Sequence, residues 1–456
     1  MARFRAEFTQ HSDVTMRHQF RARPAAAWRE QSARSWRVVV ALLLILSLFV
    51  IQTAQSARAQ DESGPLRIAA LFPFTGDLSD FGPPFLQAAE LAVNEINAAG
   101  GVNGQPIELV QGDSATSPQQ AVEEARRLIE LEGVSAIVGP AGSGETLPVA
   151  ESVTGPAGVL EITMSATSPA LTIANDNDFL FRTTISDAAQ GVVMGDLARE
   201  QEFESACVLY VNNAYGQGLS DAFAERFTAE GGMITAQVPH EQEQASYASE
   251  IASCTEAGPD VLIAAAYPES GRVFLRELAE SGDAPSVIFS DGLKSPEMFA
   301  DLGWEVFEGN YGTAAGLFES DATAAFDQAF EEAYGEIPAV PYLREINDAI
   351  YLIALAAEQA DSTDSTAIRD ALREVANAPG TVVGPGQEGW QAAVEAIGAG
   401  EDVNYEGAAG SVDLDENGDV LKGAILIWQI QGEAIEDTDE RAVDLSAQEA
   451  AATPVS

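Results

Sequence analysis

Past residue 59 the chain has one histidine, His240, two cysteines, Cys207 and Cys254, and two lysines, Lys294 and Lys422. So few histidines and cysteines remove the usual donors of zinc and iron centres and leave no nucleophile with a neighbouring base. Neither a metal nor an organic cofactor is expected. Positive charge is scarce altogether. Nine of the basic residues and three of the acidic ones fall in residues 1–59, so the remainder holds 14 basic and 68 acidic residues and a formal charge of −54. Such a chain repels nucleic acid and anionic lipid surfaces rather than binding them. The acidity fits either adaptation to high salt, where self-repulsion is screened, or ordinary solubility in a lysine-poor composition.

Long apolar runs are missing too, apart from one at residues 38–51. It follows arginines ending at Arg37 and precedes Ala57-Arg-Ala59, a small-residue cleavage pattern, so residues 1–59 read as a signal peptide cut near Ala59. The alternative, an uncleaved membrane anchor, has a run shorter than the ~20 residues a span needs. Export to an oxidising compartment makes Cys207 and Cys254 candidates for a disulfide, with two buried free thiols as the alternative.

What remains is long enough for two domains, and 46% hydrophobic content supports sizeable cores. Apolar runs at 68–72, 107–111, 136–138 and 159–164 alternate with helical patterns at 85–98 and 118–132, the latter stopped by Gly133. The alternation restarts after Phe181-Arg-Thr183, with strands at 206–211, 261–266 and 287–289 and helices at 219–230 and 271–281. This predicts an α/β fold of two Rossmann-like lobes with parallel sheets. The chain is expected to cross back near 313–316, supplying helices 323–334 and 346–360 to the first lobe, and again near 406–410, so that 424–429 joins the second. The lobes are then 66–183 with 315–405 and 184–314 with 406–430, joined by a three-crossover hinge. Residues 431–456, acidic and alanine-rich, read as a disordered tail.

Four polar clusters stand where a strand pattern gives way to a helix pattern: Gly139-Pro-Ala-Gly-Ser143, Ser165-Ala166-Thr167, Tyr215-Gly216 and Asp291-Gly292. Ligands of open α/β sheets gather at those strand ends. Hydroxyls at helix starts suit a carboxylate, which assigns Ser143 and Thr167, each also read as opening a helix. A buried ammonium needs an anion, which assigns Asp291. Tyr215 supplies an aromatic wall and a hydroxyl between them. The set describes a pocket for a free α-amino acid. The bland reading of each cluster alone is a plain helix cap.

The stretches Ile68-Ala-Ala-Leu-Phe-Pro-Phe-Thr-Gly76, Ala89-Glu-Leu-Ala-Val-Asn-Glu-Ile-Asn-Ala-Ala-Gly-Gly101, Phe181-Arg-Thr183, Tyr215-Gly216, Tyr267-Pro-Glu269 and Asn404-Tyr-Glu-Gly-Ala-Ala-Gly410 resemble the leucine/isoleucine/valine-binding family. These are type I periplasmic binding proteins of amino-acid ABC importers. The resemblance runs from about residue 66 to 429. It implies carboxylate partners at Ser143 and Thr167 with a backbone contribution at Ser165, a contact at Tyr215 and the ammonium partner at Asp291, where many relatives have glutamate. It also implies aromatic lids at Phe81 and Tyr342 and a contact at Tyr267. Ala266 stands where some relatives carry tyrosine, which implies a wider side-chain end. The implied protein is a monomeric, periplasmic, non-enzymatic receptor that hands its ligand to the membrane permease subunits. The alternative is a sensor domain for amino acids or amides that reports to a signalling partner.

Other motifs have plainer readings. Asp413-Leu-Asp-Glu-Asn-Gly418 begins like a calcium loop, but Ala424 stands where the bidentate glutamate is required, so it reads as a hairpin turn. The glycine-rich run before Ser143 lacks the Lys-Ser/Thr pair of a phosphate loop. Glu145 and Glu151 read as solvated acids, and Trp390 as core.

Overall fold

The first strand, β1 (Arg67–Phe72), is apolar beyond its arginine and buried on both faces, which demands cover on both sides of the sheet. The computed structural model describes residues 64–446 except 283, 284, 317 and 319. The expected signal peptide and residues 447–456 lie outside the described residues. Strands β2 (Glu108–Asp113), β3 (Ala136–Val138), β4 (Leu160–Thr163) and β5 (Leu180–Arg182) complete a parallel sheet of order β2-β1-β3-β4-β5. Partners are in direct register, for example Ala69 opposite Ile137 and Val138 opposite Ile162.

The same order recurs in the second half. Strands β6 (Ser205–Val211), β7 (Met233–His240), β8 (Val261–Ala265), β9 (Ser286–Phe289) and β10 (Tyr311–Gly316) run β7-β6-β8-β9-β10, all parallel. Two antiparallel strands, β14 (Lys422–Gln431) and β15 (Ala434–Asp444), extend that sheet beyond β10. Between them in the chain, β11 (Thr381–Val383), β12 (Val403–Gly407) and β13 (Gly410–Ser411) form a small separate sheet.

The chain changes sheet after β5, after β10 and after β13. Helices Asp321–Tyr334, Leu343–Gln359 and Gly386–Ala399 return to pack on helix Gly82–Ala98 beside the first sheet. Leu343–Gln359 is buried along nearly its whole length, as expected of a helix enclosed by other elements. Cys207 at β6 and Cys254 in helix Ala248–Thr255 are joined by a disulfide.

Three expectations need correction. The tail read as disordered from 431 instead forms β15, paired with β14 through a two-residue turn in which Gly432 has φ 62. Composition argued against a buried core there, and β15 is indeed mostly exposed. The hydrogen-bonding edge of the well-buried β14 supplies the order instead, and the outward charges suit an edge strand. Second, residues 406–411, placed in the second lobe from 406 onward, close a short hairpin at the end of β12, whose residues 403–405 pair with β11, so the chain joins the second sheet only at β14. Third, the second sheet is parallel only through β10. The segment 413–420 closes as a turn, with Leu414 bridged to Val420.

Candidate functional site

Seven strand ends converge between the two sheets. Leu78 and Phe81 follow β1, Ser143 follows β3, Ser165 follows β4, Asp187 follows β5, Tyr215 follows β6, Tyr267 follows β8 and Asp291 follows β9. Tyr342 arrives from the returning segment, at the start of helix Leu343–Gln359, with a left-handed φ of 74. A non-glycine residue held there is a strained feature that surroundings must maintain. Together with Phe85 and Gly142, most of these side chains line a small cavity with about 20 Å3 of free space.

Asp291 is the electrostatic centre. It is buried, and accepts hydrogen bonds from the Tyr215 hydroxyl at 2.7 Å, the Tyr342 hydroxyl at 2.7 Å and the Gln190 amide at 2.9 Å. Burial pushes its carboxyl up from the ordinary range, while those three donors pull it back. Asp187, at the start of helix Asp187–Glu200, is fully buried and carries Oδ1 with no hydrogen-bond partner. Burial, and then the charge of Asp291, push it well above the carboxylate range. Both carboxyls are thus held toward their protonated forms, and a cation beside them favours ionisation.

Two further hydroxyls line the cavity. Ser143 Oγ accepts the Ser168 N–H at 3.1 Å, leaving its own hydrogen for a ligand. The Tyr267 hydroxyl accepts from the Asn213 amide at 3.1 Å, and its ring stacks on Tyr215 with centroids 5.4 Å apart. Leu78, Phe81 and Phe85 form an apolar end, with Phe81 and Phe85 centroids 5.7 Å apart.

Of the expected residues, Ser143, Ser165, Tyr215, Asp291, Phe81, Tyr267 and Tyr342 border this cavity, and Ala166 and Thr167 do not. The Thr167 hydroxyl donates to Asp187 Oδ2 at 2.8 Å, so it orients the second carboxyl rather than facing a ligand carboxylate. Ser165 donates to the Ala141 carbonyl at 3.0 Å. Nor do the caps fall as expected. Gly142 is the cap residue of the helix Ser143–Val149, and Ser168 rather than Thr167 caps Pro169–Ile173. Ala266 is buried outside the cavity lining.

Glu145, read as solvated, is buried behind Gly142, with burial pushing its carboxyl up to about 8. Sequence reasoning missed Asp187 and Gln190. Asp187 stands five residues after Arg182, so the strand-end rule applied to β5 would have found it. Gln190 lies one turn further along the same helix. Among the described residues no group of three or more histidine, cysteine or acidic side chains is arranged to hold a metal ion, and no helix is long and apolar enough to cross a membrane.

A family model described as "Periplasmic binding protein" matches residues 65–398. The chain is 28% identical over 380 residues to the chemotactic signal transduction system substrate-binding protein BasB of Halobacterium salinarum, covering 82% of this chain and 88% of that one. It is 31% identical over 318 residues to Leu/Ile/Val-binding protein homolog 3 of Brucella melitensis, covering 68% and 83%. The solved structure of the branched-chain amino acid transporter substrate binding protein LivJ of Streptococcus pneumoniae, in complex with isoleucine, superposes with a TM-score of 0.69 at 22% identity, covering 84% of this chain and 100% of that one.

Proposed function

The chain belongs to the periplasmic binding protein family, a family of binding proteins rather than enzymes, and we propose that it captures a neutral α-amino acid, branched-chain or similar, for a membrane ABC importer. Residues 1–59 serve as its export signal, and it works as a monomer outside the cytoplasmic membrane. The observation that carries the reading is Asp291, buried and hydrogen-bonded by Tyr215 and Tyr342, across the cavity from Ser143. An ammonium fits beside Asp291 and Asp187, a carboxylate against the hydroxyls of Ser143 and Tyr267, and an aliphatic side chain against Leu78, Phe81 and Phe85. Such a ligand touches both sheets at once, so its affinity is greater for the closed arrangement than for an open one. The closed protein then offers both halves to the permease.

The test is titration calorimetry against the twenty amino acids, paired with mass spectrometry of whatever small molecule leaves the freshly purified protein on denaturation. Saturable binding of aliphatic amino acids is expected. Binding of none of them, with a carboxylate lacking an amine released instead, rejects the reading. A second reading, a receptor feeding a signalling partner, is favoured by the name of the Halobacterium salinarum relative. Capture of a chemoreceptor rather than a permease by the ligand-loaded protein would select it.

A further inference from the structure

The loop between β1 and helix Gly82–Ala98 faces two ways. Leu78 and Phe81 line the ligand cavity, while the two acids interleaved with them, Asp77 and Asp80, reach the other half of the molecule. Arg272, on helix Pro268–Glu280 of the second half, places Nη2 at 3.0 and 2.9 Å from the two carboxylate oxygens of Asp80. Ser295 donates to Asp80 Oδ2 at 2.5 Å. One position along from Glu269, Ser270 donates to Asp77 Oδ2, and the Glu269 N–H reaches the Asp77 carbonyl at 3.2 Å.

The Asp80–Arg272 pair is not an ordinary surface ion pair. Its side chains are 7% and 14% exposed. The guanidinium is engaged on every side, with Nε at 2.9 Å from Asp301 and Nη1 at 2.9 Å from Glu269. Both of those partners belong to the second half, so they fix the orientation of Arg272 there and present one face of it to Asp80. A pre-oriented donor loses little freedom when the acceptor arrives.

We propose that Asp80 and Arg272 form a closure latch, positioning the loop that carries Leu78 and Phe81 against the ligand and setting how long the cleft stays shut. The inference rests on the reading of the protein as a receptor that closes on its ligand. Asp80 and Arg272 touch each other only when the two halves are together, so their interaction adds to the closed state alone. A contact of that kind changes the apparent affinity by changing the closed fraction, without touching the ligand. Truncating one partner of a largely buried, hydrogen-bonded charge pair acts on release more than on capture.

The test attaches spin labels at two exposed positions, Leu131→Cys on the first half and Met233→Cys on the second, with the native disulfide left oxidised. Distances between them are read without ligand and at a leucine concentration that half-closes the wild type. Arg272→Ala and Asp80→Asn are each expected to lower the closed fraction severalfold and to release leucine about tenfold faster. Arg272→Lys, which keeps the charge and loses the fork, is expected to fall between, an ordering that a loss of folding alone would not give. Asp80→Asn preserves shape and leaves Arg272 its two other partners, so it decides the matter if Arg272→Ala does not fold. Closed fractions equal to wild type in both conditions overturn the latch, as does a wild type with no measurable closed population in either. A wild type that closes without ligand but ignores every amino acid refutes the ligand assignment and leaves the unliganded distances to judge the latch.

Discussion

Replacing Glu145 with glutamine should make the protein more stable at pH 8 and change it little at pH 5. The wild-type carboxyl is fully buried, and burial raises it from 4.5 to about 8, against which the Ser114 side chain and the Gly142 N–H pull only partly. A carboxyl whose folded value lies above its unfolded value binds its proton more tightly in the native state. The stability it lends is therefore complete below the unfolded value and is lost as pH rises toward the folded one. At about 1.4 kcal/mol per pH unit, the loss between pH 5 and pH 8 comes to about 3 to 4 kcal/mol, a large share of the ~5–15 kcal/mol that holds a typical domain together. Glutamine reproduces the shape and hydrogen-bonding of the protonated acid and has no charge to expose. Asp348 and Glu345, both raised to about 7 by burial, slope the same way in both proteins and cancel in the comparison. Urea midpoints at four pH values, without ligand, measure the gap between variant and wild type. A gap that stays constant from pH 5 to pH 8, or a variant less stable than wild type at pH 8, refutes the argument.

Removing the anion of the site should be costly for binding. Asp291→Ala is expected to weaken amino-acid affinity by about 2 to 5 kcal/mol, the usual effect of truncating one partner of a buried charge pair, and calorimetric binding equal to wild type would end its assigned role. Conversely, a ligand without the cation should fail: 4-methylpentanoate, which is leucine without its amine, is expected to bind at least about a hundredfold more weakly than leucine, given the same range of energies. Equal binding of the two would show that Asp291 and Asp187 face no cation. In molar NaCl the melting temperature should rise, because the screening length falls to ~3 Å at 1 M and residues 60–456 carry a charge of −54. A midpoint that is flat or falling with salt would leave the acidity as plain composition.

The strand-end rule read most of the cavity because each apolar run is short, buried and followed at once by the polar residue that matters, as in Ile137-Val138 before Ser143 or Ile288-Phe289 before Asp291. It failed where the important partner comes from elsewhere in the chain. Thr167 has the residue type of a carboxylate ligand, yet Asp187 arrives from the next strand end and takes its hydroxyl. Ser143 has the residue type of a cap, yet its oxygen accepts from Ser168 across the loop. Glu145 looks solvated in a chain of acids, and only the approach of Gly142 and Tyr267 encloses it. β15 reads as disordered from its charges because composition registers what a strand can bury and not the hydrogen-bonding edge that it meets. Periodicity reports the environment within one element, whereas these four outcomes depend on which second element approaches.

The line along which the halves meet is crowded with carboxyls that burial has pushed up. Asp291 lies at the cavity, Asp187 behind it, Glu145 behind Gly142, and Asp77, raised to about 6, beside Leu78. Closing the cleft over them removes water that would otherwise solvate their charged forms, so closure is opposed unless protons or cations accompany it. At the mouth the protein supplies its own cation, Arg272, paired with Asp80. Among the described residues no lysine or arginine lines the cavity wall, and on the proposed reading the charge that meets Asp291 comes from the molecule that binds. The division makes the arginine a fixed contribution to closing and the ammonium a conditional one. A receptor built this way can rest near the balance point between open and closed, because the fixed term offsets part of the desolvation while the conditional term decides the outcome. On the proposed reading such a receptor would discriminate by charge before side chain, since a ligand with the right aliphatic end and no amine brings no cation to the buried carboxyl of Asp291.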